Sequence, residues 1–148
     1  MWPLLIRKPK KEQPMTDWNE YAAFYIERLK GPDGENAYHS LIEADNAIIP
    51  ILIDAFRDEQ DSEIRSDLVE VIWQHPLPDT TGFLSEAVDD PAPEVWKSAL
   101  DGLVAIGGKP AIQILESARQ RLWSGSRKER TKAEWIDEAI QQIKEQGE

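Results

Sequence analysis

Apolar and polar positions along this chain recur at helical spacing almost throughout, and no segment alternates strictly at period two. Trp18, Tyr21, Ala22, Tyr25 and Leu29 fall on one face, preceded by Asp17 and Glu20 at capping-box spacing. A first helix is therefore predicted from Thr16 or Asp17 up to the Gly31-Pro32-Asp33-Gly34 break. A short helix over residues 35–44 follows, then one over 47–56, where Pro50 is tolerable only in the first turn. Its partner runs over 62–74, with Ile64, Leu68, Val71 and Ile72 inward, and His75-Pro76-Leu77-Pro78 closes the unit. Residues 80–88 and 93–106 make the next pair, stopped by the left-handed signal Gly107-Gly108 ahead of Pro110. The last pair is predicted at 111–123 and 131–145, the latter opened by a second capping box, Thr131 with Glu134, after the basic loop 124–130.

Two of these units repeat one another. Residues 46–78 and 79–110 each read as an apolar helix, an acidic turn, a second apolar helix and a Gly- or Pro-marked break. Ala55-Phe56 falls on Ala87-Val88 at an offset of 32 and Ile64 on Val95 at 31. A period of roughly 20–50 residues marks a solenoid, in which a helix pair buries its apolar face only by stacking on its neighbour. Such a stack offers a long ridged surface rather than an enclosed pocket, which points to binding before catalysis.

The repeat resembles HEAT repeats, and in particular the short HEAT-like repeats of phycobilisome bilin lyases. Leu84, Asp89-Asp90, Pro91, Glu94-Val95, Ala99-Leu100, Leu103 and Ile106-Gly107 match that pattern in one unit. Leu52, Asp58, Glu63-Ile64-Arg65, Leu68 and Ile72 match it in the unit before. The resemblance covers about residues 35–123 well, and the outer helices match weakly, as capping units do. It implies an all-α fold, a short right-handed α-solenoid of about four antiparallel helix pairs, forming a single domain over residues 16–148 behind a basic tail at 1–15. It also implies a protein-binding scaffold whose second helices line the concave face. Two features depart from the pattern: Trp96 stands where the repeat usually carries Arg, and the last pair has a longer, basic connection.

Charge sharpens this picture. Residues 33–101 hold seventeen acidic groups against three basic ones (Arg57, Arg65, Lys97), within a chain of net charge −11. A segment that negative repels phosphate and attracts basic proteins, so a basic protein partner is expected and nucleic acid is not. There is no cysteine, which excludes disulfides and thiolate metal sites. The longest apolar run, 47–53, is interrupted by Pro50 and too short to span a bilayer. The N-terminal MWPLLIRKPKKEQP puts its charges after a short apolar patch, unlike a secretory signal, and its prolines suit a tail; Met15 is an alternative start. The expected place is the cytoplasm and the expected state a monomer or weak homo-oligomer.

Motifs for chemistry are absent. His39 precedes Ser40 and His75 precedes Pro76, so the His-Glu pairs of a HEAT-like metal hydroxylase are missing, and His75 reads as a helix-end residue. Gly107-Gly108-Lys109-Pro110 lacks the spacing of a phosphate loop, and the acidic turns lack the register of a calcium loop. No catalytic residue, metal ligand or cofactor is expected. Of the tryptophans, Trp73, Trp96, Trp123 and Trp135 accompany the stacked helices, with burial the default and Trp96 the candidate for exposure. The candidate partner-binding patch is Trp96 with Asp67, Glu70, Glu94 and Asp101 on neighbouring second helices, an aromatic anchor among carboxylates. The expected function is a non-enzymatic scaffold for a basic protein, in its most concrete form an immunity- or antitoxin-type protein. The alternatives are a bilin-lyase-like chaperone or adaptor subunit and, less well supported, a HEAT-fold nucleic-acid glycosylase.

Overall fold

The computed structural model describes residues 17–147 except Pro76 and Pro78. The expected basic tail at 1–15 and the alternative start at Met15 lie outside the described residues. Within them are eight α-helices and no strand: α1 Trp18–Arg28, α2 Gly34–Glu43, α3 Ile49–Asp58, α4 Ser62–Trp73, α5 Asp79–Ala87, α6 Pro93–Ile106, α7 Gly108–Gln120 and α8 Arg127–Gln146. A 3-10 turn at Asn46–Ile48 leads into α3. Consecutive helices pack as four pairs, and the second helices α2, α4, α6 and α8 pack side by side as one layer. This is the helical stack expected from the repeat.

Local chemistry sets the boundaries. Asp17 caps α1 by accepting from the Asn19 and Glu20 N–H groups, and Asp61 caps α4 by accepting from those of Glu63 and Ile64. Gly107 (φ 69°) and Gly108 (φ 82°) take the left-handed conformation between α6 and α7, as the doublet predicts. Two starts differ from expectation. Helix α7 begins at Gly108 rather than 111, because Pro110 in the first turn needs no helical hydrogen bond. Helix α8 begins a full turn before Thr131, because its cap is Ser126, which accepts from the Glu129 N–H at 3.2 Å. Ser126–Glu129 and Thr131–Glu134 carry the same spacing; the Thr131 hydroxyl donates to the Arg127 carbonyl at 3.1 Å and caps nothing.

The core is continuous along the stack. Leu41, Leu52, Leu68, Leu84, Leu103, Leu115 and Ile136 are fully buried, about one large aliphatic per helix. Burying each such side chain stabilises the fold by about 1.5–3 kcal/mol before chain entropy is counted. The repeat period reappears as hydrogen bonds between α4 and α6. The Ser62 hydroxyl donates to Glu94 at 2.8 Å, and the hydroxyls of Ser66 and Ser98 lie 2.7 Å apart; each pair is separated by 32 residues. Arg65 on α4 pairs with the buried Asp90 in the turn before α6, its guanidinium 5.0 Å from the Phe56 ring. His75 is more than a helix-end residue. It is 2% exposed, and its Nε2 donates to the Leu41 carbonyl at 2.9 Å, tying the end of α4 to α2.

Candidate functional site

The second-helix layer carries the acidic face. On α4, Asp67 and Glu70 lie one turn apart, both half-buried. Glu70 accepts from the Trp73 indole N–H at 3.0 Å and sits against the Asp101 carboxyl of α6. Burial, with the neighbouring Asp101 charge, pushes the Glu70 carboxyl above its usual range, although the Trp73 hydrogen bond opposes the shift. Burial also raises Asp101. Asp67 is raised by burial first and then by the charges of Glu63 and Asp61. None of the three forms an ion pair with a described residue, and the Glu70 and Asp101 carboxyls hydrogen-bond to each other.

Trp73 reaches this face because of a glycine. A Cβ on Gly102 would lie 2.7 Å from both Cδ1 and Cγ of Trp73, so only a residue without a side chain lets the indole lie against α6. Glu70, Trp73, Asp101, Trp135, Glu138 and Gln142 line a cleft of about 460 Å³ between α4, α6 and α8. Trp135 is 44% exposed on its wall.

The expected patch is only partly assembled. Glu70 and Asp101 share the cleft, and Asp67 lies one turn before Glu70 on α4, outside its lining. Glu94 instead turns toward the start of α4, held by the Ser62 hydroxyl, and its carboxyl is lowered by its own backbone N–H and by that bond. Trp96 is 5% exposed, which corrects its candidacy as a protruding anchor. Its ring meets that of Trp135 edge-on at 6.1 Å, and it lines a second cleft at the first turns of α6. Trp123, expected to be buried, is 84% exposed in the connection between α7 and α8. Asp67 and Glu70, which as carboxylates of a partner-binding patch were expected to be exposed, are half-buried.

Trp73 and Trp135 read in the sequence as buried by default, and Trp135 is instead part-exposed; Glu138 was not singled out. A signal for Trp135 and Glu138 exists: on α8 the buried positions are Ala133, Ile136, Ala139 and Ile143, and 135, 138 and 142 fall outside that set. Among the described residues, no group of three or more His, Asp or Glu side chains is placed to hold a metal ion, and no helix is long and apolar enough to cross a membrane.

A family model of HEAT repeats matches residues 49–133, more than half of the chain and the stretch that contains the α4 and α6 walls of the acidic cleft. The chain belongs to the HEAT-repeat family. No curated protein and no solved structure gives a match. Within this HEAT-repeat stack, the second-helix layer bears the unpaired carboxylates and the part-exposed indoles, a combination suited to holding a cation against an aromatic wall.

Proposed function

We propose that this HEAT-repeat protein is a non-enzymatic scaffold that holds a basic protein partner on the face formed by α4, α6 and α8. The observation that carries the reading is the α4–α6–α8 cleft, where Glu70, Asp101 and Glu138 lie beside Trp73 and Trp135 and none pairs with a described cation. An arginine or lysine entering there offsets the cost of burying the charged Glu70 and Asp101 carboxylates and stacks on an indole. Asp67 and the wider excess of carboxylates over residues 33–101 steer such a partner toward the cleft. The narrower form of the proposal is an immunity- or antitoxin-type protein that caps a basic toxin, which the net charge of −11 favours.

The test is kinetic. A partner captured from native lysate is mixed with the protein in a stopped-flow instrument across a range of salt. Association should slow by about tenfold or more from low to high salt, because screening cuts the steering. The Glu70→Gln and Asp101→Asn double variant should bind several-fold more weakly, with its melting temperature not lowered. A partner whose on-rate ignores salt and whose affinity ignores both substitutions overturns the proposal.

A further inference from the structure

The two departures from the repeat pattern meet in one place. Trp96 occupies the position that Arg65 holds one repeat earlier, and the clasp between Arg65 and Asp90 has no counterpart there. The long connection before α8 folds over the gap. Together they frame a cleft of about 850 Å³ between the α5–α6 turn and the first turns of α8. That size lies within the range of ligand sites.

This cleft is basic in a protein of the opposite sign. Lys97, Arg121, Arg127, Lys128 and Lys132 line it. Its acidic residues are already engaged. Asp89 pairs with Arg121 at 2.9 Å, Asp90 pairs with Arg65, and Glu129 accepts from the Ser124 N–H at 2.7 Å. Lys97, Arg127, Lys128 and Lys132 form no ion pair with a described residue. Lys97 and Lys132 instead rest near the indoles, with Nζ 4.5 Å from the Trp135 ring centre and 5.6 Å from that of Trp96 respectively. Burial lowers Lys132 from its usual value, a cost that an arriving anion offsets. Pro91, Pro93 and Trp96 give the cleft an apolar floor.

We propose that this cleft binds a short acidic segment of a partner protein, with Trp123 as an anchor at its edge. Three observations choose this occupant over other anions. The excess of carboxylates over residues 33–101 repels an extended polyanion such as nucleic acid or an anionic membrane, whereas a short segment meets mainly the charges within about 8 Å of it. The Trp96 ring is enclosed by Trp135, Lys97 and Lys132, so it offers no open face for a nucleobase to stack on. Trp123 follows the cleft-lining Leu122 directly and stands 84% exposed, the kind of aromatic that dominates protein interfaces. The protein then has two sites of opposite sign along α6, the basic one at its first turns and the acidic one at its later turns, joined through Trp135, which lines the acidic cleft and meets the Trp96 ring of the basic one.

Fluorescence anisotropy of the full chain with a labelled peptide of alternating Glu and Leu tests this. Saturable binding that weakens as salt rises is expected. The double variant Arg127→Glu and Lys128→Glu should bind roughly tenfold more weakly or worse. It should fold normally, since acidic residues suit the first turn of a helix and both positions are exposed. Trp123→Ala should weaken binding without lowering the melting temperature. A single-stranded oligonucleotide and phosphatidylserine vesicles serve as competing anions. The proposal is overturned if the peptide does not saturate, if the double variant binds it as wild type does, or if the oligonucleotide or the vesicles bind more tightly.

Discussion

Replacing Gly102 by alanine sets two effects of opposite sign against each other. Alanine in a helix interior is favoured over glycine by about 1 kcal/mol, so an open site would be stabilised. The site is not open: the added Cβ would meet Cδ1 and Cγ of Trp73 at 2.7 Å and its Cβ at 3.0 Å. The stem of Trp73 is involved as well as its ring, and the Glu70 hydrogen bond at 3.0 Å holds the indole, so the side chain cannot simply swing aside. Overpacking of this kind costs about 1–3 kcal/mol. The net expectation is destabilisation of up to about 2 kcal/mol, which lowers the melting temperature by a few degrees in a chain of this length. A double-mutant cycle with Trp73→Ala decides the cause, because in that background Gly102→Ala should turn stabilising by about 1 kcal/mol. Urea unfolding of the four proteins gives the coupling energy. A coupling near zero, or a single variant more stable than wild type, refutes the close approach of α4 and α6 that places Trp73 in the acidic cleft.

Leu68→Ala and Leu103→Ala should each cost about 2–5 kcal/mol, since both side chains are fully buried. Far-ultraviolet circular dichroism should show one lowered transition, and an unchanged melting temperature would contradict the assigned inward faces. The pH dependence follows from Glu70 and Asp101, whose folded carboxyls are raised. Their protonated forms favour the folded state. The stability they contribute is full below the usual carboxylate range of about 4 and is lost as pH rises through their raised values. The Glu70→Gln and Asp101→Asn double variant should therefore melt higher than wild type at neutral pH, with the gap closing as pH falls to about 4. A gap that is negative at neutral pH, or indifferent to pH, would contradict the linkage.

The fold was largely legible because repeat proteins write their packing into local periodicity. The spacing of Leu52, Leu68, Leu84 and Leu103, the Gly107-Gly108 stop and the 31–32-residue offset each report a contact made with a nearby unit. Capping was less secure where one pattern occurred twice: Ser126–Glu129 and Thr131–Glu134 are equivalent as strings, and the geometry of the preceding loop chose the earlier one. The acidic face was half legible. Glu70 and Asp101 belong to adjacent second helices, so their meeting follows from the repeat. The turn of Glu94 toward Ser62 depends on a side-chain hydrogen bond that no periodicity encodes. Trp96 and the basic connection were both visible as departures from the pattern. That they form one cleft was not, because their contact runs through Trp135 and Lys132 on the last helix, where the repeat match is weak.

The most direct test of the acidic face is a proton–nitrogen correlation spectrum of the labelled protein titrated with an arginine-rich peptide. The account predicts that the largest shifts fall on the indole signals of Trp73 and Trp135 and on the amides around Asp67, Glu70 and Asp101. The Trp73 signal should move because the Glu70 carboxylate it donates to takes a new partner. Shifts spread evenly over the exposed carboxylates, or centred away from α4, α6 and α8, would contradict the claim that this cleft is where the protein holds a basic partner.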